Sequence, residues 1–411
     1  MNRQRTTAFS LLLFAAALIP VAGQAAEKPK VRAITGFVRL DRTHYREQVH
    51  EALAALRKAK AAYELAGYEV QSLRISTQPF PEYTRGLSVE EAVAFFRDYD
   101  ALAKKEGFDA AIGPALLRDA DDPRQADLLG EILRNTSLNA SLVVADEDGV
   151  HWNALRAAAR LIKYWSDHSP GGLANFNFAA TALVPAYTPF YPGSYHTGDS
   201  GHFAIALQSA NAVAEALASS RNAGEARQAL AAALGAHARA VEAIAQRVEK
   251  ETGWKYEGID LSPAPLKDVS IGGAIESFTG ARFGSSGTMT AAALITGVLR
   301  ELPVKHAGYS GLMVPVLEDS VLAQRWSEGL LSVDSLLAYS AVCGTGIDTV
   351  PLPGDVSVEQ LERIIGDMAS LAVKLHKPLS ARLMPVAGKK AGERTEFNDP
   401  FLVNAVIQPL R

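Results

Sequence analysis

Segments of strand character alternate with segments of helical character along almost the whole chain, and that alternation limits the possible fold more than any other feature. Val31 to Val38 is rich in β-branched residues and lacks a helical period, so it reads as a strand. From Asp41 to Ala66, apolar residues return at helical spacing (Val49, Leu53, Leu56, Ala59, Tyr63), and Gly67 closes the run. The same rhythm places further strands at 68–77, 109–113, 140–145, 174–183, 255–261, 311–317, 347–350, 379–386 and 401–408. Helices are expected between most of them, including two Ala-rich ones at 203–218 and 223–251. A strand that follows a helix needs a crossover to reach its neighbour, so the pairing is expected to be parallel. About ten strands, evenly spread without a linker, point to a single large α/β domain over 27–411. A closed barrel leaves no sheet edges and is favoured over an open doubly wound sheet.

The first 26 residues have the makings of an export leader: Arg3 and Arg5, an apolar stretch from Ala8 to Val21, and small residues at Gly23-Gln24-Ala25-Ala26. The stretch is too short for a comfortable membrane span, so a periplasmic or secreted protein without a stable membrane anchor is expected. Removing those two arginines takes the net charge from −4 to −6. A mildly acidic chain with no basic tract is a poor nucleic-acid binder.

In parallel sheets and barrels, sites gather at the carboxyl ends of strands. That edge directs attention to a small set of polar residues. Cys343 is the single cysteine and stands before Gly344 and Gly346, whose backbone N–H groups could face a thiolate. It is either a nucleophile or a buried small hydrophobe. His196, in the loop Phe190-Tyr191-Pro192-Gly193-Ser194-Tyr195-His196, suits an acid/base role or a place in a structural loop. Asp260, Glu318 and Asp348 lie at strand ends; Asp260 and Asp348 join the catalytic candidates, and Glu318 with Asp260 would suit a divalent metal. Asp319 and Asp355 precede helices and read as N-caps. Thr77, Gln78, Asn177, Arg282, Ser285, Arg382 and Lys389 are candidates for holding a small polar or anionic substrate, Arg282 and Ser285 because they open a helix.

Four stretches also resemble a known family: Val31-Arg32-Ala33-Ile34-Thr35, Arg74-Ile75-Ser76-Thr77-Gln78-Pro79-Phe80-Pro81, the run from Cys343 through Gly354-Asp355, and the run from Arg382 through Lys389-Lys390-Ala391-Gly392. They resemble family seven hundred and eleven of the domains of unknown function, over nearly all of residues 27–411. The resemblance implies a ten-stranded α/β barrel like that of pyruvate formate-lyase, and implies no known activity. Glycyl radical enzymes of that fold carry a cysteine on a loop inside the barrel and a glycine near the C-terminus. Cys343 matches the first, but Phe401 to Gln408 contains no glycine. The expectation is therefore the fold without the glycyl radical site.

These readings lead to an exported hydrolase, lyase or isomerase acting on a small polar or anionic substrate. A periplasmic binding protein without turnover is the alternative, and self-association through the Ala-rich helices stays open.

Overall fold

The computed structural model describes residues 28–410. The expected leader at 1–26 lies outside the described residues. Ten strands belong to one mixed sheet flanked by helices. They are β1 (Lys30–Val38), β2 (Leu73–Thr77), β3 (Asp109–Pro114), β4 (Asn139–Asp146), β5 (Gly149–Val150), β6 (Phe178–Ala182), β7 (His202–Gln208), β8 (Lys255–Asp260), β9 (Gly346–Pro353) and β10 (Leu379–Val386). Their order is β8-β7-β1-β2-β3-β4-β6-β10-β9, with the short β5 turned back against β4.

The helices form where caps and periodicity agree. Val89–Glu106 begins with a capping box in which Ser88 and Glu91 satisfy each other's backbone N–H, and ends at Gly107 in the left-handed region. The 30-residue helix Ala223–Thr252 starts at Asn222, whose side chain accepts from the Glu225 N–H, and stops at Gly253. Ser357, rather than Asp355, caps Val358–Leu375. Asp319 is a cap, as expected, and for two helices at once. Its Oδ1 accepts from Val321 and Leu322, and its Oδ2 from Ile271 and Gly272.

Three expectations need correction. Residues 203–208 form a strand, and the helix begins only at Ala210. A short apolar run such as Phe203 to Leu207 has no period that separates a buried strand from a helix, and its place between β1 and β8 decides the matter. Residues 311–317 and 401–408 are not strands; each makes only an isolated bridge, Pro315 with Asp348 and Arg394 with Val406. The pairing is also not uniformly parallel. β7 runs antiparallel to β1, and β10 antiparallel to β6.

The strands therefore fall into two oppositely directed groups, β1-β2-β3-β4-β6 and β7-β8 with β9-β10. The amino ends of the first group face the same way as the carboxyl ends of the second. The segment around 306–315 touches both outer strands, through parallel bridges of His306 to Ile259 and of Pro315 to Asp348. Among the described residues, no helix is long and apolar enough to cross a membrane.

Candidate functional site

A cavity of about 760 Å³ opens where the amino ends of β1, β2, β3, β4 and β6 meet residues of β9, β10 and the segment 309–318. Cavities of this size suit small-molecule ligands. At its wall, Arg382 of β10 donates from Nε to Asp348 Oδ1 at 2.6 Å and from Nη2 to Glu318 Oε1. The guanidinium also lies 4.9 Å from the centre of the Phe176 ring. The three charged side chains are only 10–13% exposed. Glu318 is delivered by a turn after Pro315 that is pinned to β9 through the Val316 N–H and the Asp348 carbonyl.

Burial pushes the Glu318 carboxyl above the usual range, against the pull of Arg382 and with a further push from Asp348. Burial alone would lower the Arg382 pKa, but the two carboxylates outweigh it and hold the guanidinium firmly charged. The arrangement is one cation serving two carboxylates, one of which binds a proton more readily than an ordinary glutamate. Tyr309, also buried, lines the same wall.

Two further arginines reach the cavity from neighbouring strands. Arg74 lies 4.7 Å from the Tyr191 ring centre and 3.4 Å, Nε to Oδ2, from Asp109 on β3. Arg32 lies 5.0 Å from the Phe401 ring centre and donates to Gln71 Oε1 at 3.3 Å. Among the described residues Arg32 makes no ion pair, and burial, followed by repulsion from Arg74, lowers its pKa to about 10.

The structure separates the residues that the sequence groups together. Glu318, Asp348, Arg382 and Asn177 line the cavity; Cys343, His196, Asp260, Thr77, Gln78, Arg282, Ser285 and Lys389 do not. Cys343 is 1% exposed within the hydrophobic core. Its carbonyl, with those of Ser340 and Ala341, accepts from the Lys377 ammonium, whose pKa burial lowers to about 8. Gly344 presents no backbone donor to the sulfur; its N–H goes to the Leu312 carbonyl at 2.7 Å. A Cβ on Gly344 would stand 2.5 Å from the Gly311 carbonyl carbon, so the glycine lets two chain segments cross. Cys343→Ala is expected to cost about 1 kcal/mol through lost buried volume. Urea unfolding checks that figure, and a thiol reagent should label the wild-type protein only as it unfolds.

His196 is fully buried against Phe37 and Tyr187, with the Val38 and Gly198 backbone beside its ring. Burial keeps it below the usual histidine range. Phe37 lies five residues beyond Arg32 on β1, roughly 16 Å further along the strand. His196 therefore sits toward the opposite end of the sheet from the cavity. Asp260 is fully buried, accepts four hydrogen bonds from Ser262, Tyr309 and Ser310, and anchors their loop instead of facing a ligand. Its burial raises its pKa against those donors.

Thr77 bonds the Gln78 carbonyl and Tyr83, and Gln78 clamps both backbone groups of Leu40. Arg282 is exposed and lies 3.5 Å from Glu328, while Ser285 belongs to the turn that precedes Thr288–Glu301. Lys389 pairs with Glu396 at 3.1 Å. Among the described residues, no three His, Cys, Asp or Glu side chains cluster as metal ligands. Both Asp260 oxygens are taken up by Ser262, Tyr309 and Ser310, and Glu318 by Arg382.

The fold and the cavity define a mixed α/β protein whose cavity wall carries an arginine held between two carboxylates. By sequence, the chain belongs to the family described as "Uncharacterised ACR (DUF711)", whose model matches residues 24–398. It is 32% identical over 376 residues to a UPF0210 protein of Pyrobaculum aerophilum, covering 86% of this chain and 82% of that protein. It is 29% identical over 407 residues to a UPF0210 protein of Methanopyrus kandleri, covering 89% and 88%. Among solved structures it is similar to the anaerobic ribonucleotide reductase of Thermotoga maritima in complex with dATP and CTP. That likeness covers 91% of this chain and 81% of the other, with 10% identity and a TM-score of 0.43.

Proposed function

We propose that the chain is an enzyme that turns over a small anionic substrate in this cavity by proton transfer, as a hydrolase, lyase or isomerase. The observation that supports this most is the buried Glu318–Arg382–Asp348 group on the cavity wall. A glutamate with a raised pKa holds a proton closer to neutral pH than an exposed one and can deliver it to a bound substrate. Arg382 orients Asp348 through its Nε–H, and its remaining N–H groups can meet charge that develops on the substrate. Cys343, His196 and Asp260 have structural roles in this reading. An exported protein remains part of the proposal, on the strength of Arg3, Arg5 and the apolar stretch that follows.

The test is a panel of carboxylate and phosphate metabolites, with products identified by mass spectrometry. On any substrate so found, Glu318→Gln is expected to lower kcat by roughly 10²–10⁴-fold, the usual worth of a general acid or base. The base limb of the pH–rate profile, where the Glu318 proton is lost, should disappear with it. Equal turnover by wild type and Glu318→Gln overturns the assignment. Ligands that bind without any product formed would favour the second reading, a binding protein, which the unpaired Arg32 supports.

A further inference from the structure

The cavity wall carries two arginine groups with different charge balances. Arg382 is paired with both Glu318 and Asp348. Arg32 has no carboxylate partner within ion-pair distance among the described residues. Its neighbour Arg74 meets only Asp109, a half-exposed side chain, and its Nε is buried without a hydrogen bond. The nearby Glu69 is already held by Lys30 at 2.8 Å. The buried Thr345 hydroxyl, also on the cavity wall, has no partner either. A buried donor left unmet costs stability, so groups of this kind mark places where a ligand completes the bonding.

Geometry adds to the charge argument. Arg32 and Arg74 each lie over an aromatic ring, Phe401 and Tyr191. A ring beneath a guanidinium restrains its plane while leaving in-plane N–H edges for an oxyanion, which a fork of parallel donors binds best. Two such forks, one unpaired and one weakly paired, call for more than a single negative charge.

We propose that Arg32 and Arg74 form a subsite for a compact dianionic headgroup, a phosphoryl group or a pair of adjacent carboxylates, on the substrate of this cavity. The subsite lies beside the Glu318–Arg382–Asp348 group, near enough for Arg32 and Glu318 to attract each other. The substrate then reaches from one group to the other, with its charge fixed by Arg32 and Arg74 and its reacting atoms at Glu318. This rests on the reading of the cavity as a substrate site, but it is tested without turnover.

The experiment is calorimetric titration of the purified protein with inorganic phosphate, malonate and acetate at constant ionic strength. Phosphate or malonate should bind at least tenfold more tightly than acetate, and the better of the two identifies the headgroup chemistry. Arg32→Gln should weaken that binding at least tenfold, and Arg32→Lys should restore it only in part, because a lysine keeps the charge and loses the fork. Glu318→Gln should not weaken it, because the change removes a carboxyl that competes with the anion for Arg32. Arg32 is half-buried with one long hydrogen bond, so its variants test the subsite even if Arg74→Gln fails to fold. Binding of acetate as tight as that of phosphate and malonate, no binding of any of the three, or full binding by Arg32→Gln overturns the subsite. A loss with Glu318→Gln equal to that with Arg32→Gln overturns its independence of the acid/base group. None of these results bears on whether Glu318 catalyses proton transfer.

Discussion

Arg382→Ala is expected to destabilise the protein by about 3–5 kcal/mol at neutral pH, because it leaves two buried carboxylates without their cation. The loss should depend on pH in a definite direction. Glu318 already has a raised pKa in the folded state, and losing Arg382 removes the main force that pulls it down. A carboxyl whose folded pKa exceeds its unfolded value binds more protons when folded, so its effect on stability worsens as pH rises through that interval. Wild type and variant should therefore differ more at pH 8 than at pH 5. Urea unfolding at the two pH values measures this, and an equal difference at both would show that Arg382 does not hold the Glu318 pKa down as argued. Arg382→Lys should recover little, since a single ammonium cannot make the forked contacts to Asp348 and Glu318.

The second large effect is expected at Asp260. Its Oδ1 accepts from the Ser262 N–H and hydroxyl at 3.0 and 2.6 Å and from the Ser310 N–H at 3.0 Å; its Oδ2 accepts from the Tyr309 N–H at 2.7 Å. The loop is wound so tightly that a Cβ on Gly308, at φ +61°, would fall 2.1 Å from Oδ2. Asp260→Ala leaves these donors buried and unmet, at a cost of at least about 4 kcal/mol given 1–3 kcal/mol for each unsatisfied group. Asp260→Asn should keep part of the stability, because its carbonyl oxygen can still accept while its amide faces a donor. Denaturant unfolding ranks the three proteins. Since the loop carries Tyr309 into the cavity wall, a near-ultraviolet circular dichroism change should accompany the loss. An alanine variant as stable as wild type would mean that the loop is held by something else.

Much of the architecture was legible because helix caps and hydrophobic period agree. The run from Val89 to Glu106, entered at Ser88 and left at Gly107, carries both signals. The strand β7 was not legible, because Phe203 to Leu207 is buried on both faces and so shows no alternation. The two antiparallel junctions were hidden for a related reason: local pattern reports that a segment is extended, not which way its neighbour runs. Of the site, Arg382, Glu318 and Asp348 could be read as polar residues at strand-like segments, and Asn177 with them. Arg32 and Arg74 could have been found by the same signal that exposes Arg382, an arginine inside an otherwise apolar strand. Cys343 and His196 stood out by rarity and loop context, which carry no information on burial; a free cysteine packs readily in a core.

The opposed direction of the two strand groups has a consequence for biogenesis. Arg32 lies on β1 and Arg382 on β10, so nearly the whole polypeptide separates the two arginine groups of one cavity. The first five core strands can pair with one another early in synthesis, but the wall that bears Arg382 exists only once the last strand has docked against β6. Contacts between such distant points are costly to close and form late. On the proposed reading, ligand recognition waits for β10 to dock, so binding at this cavity would report on the completion of the sheet.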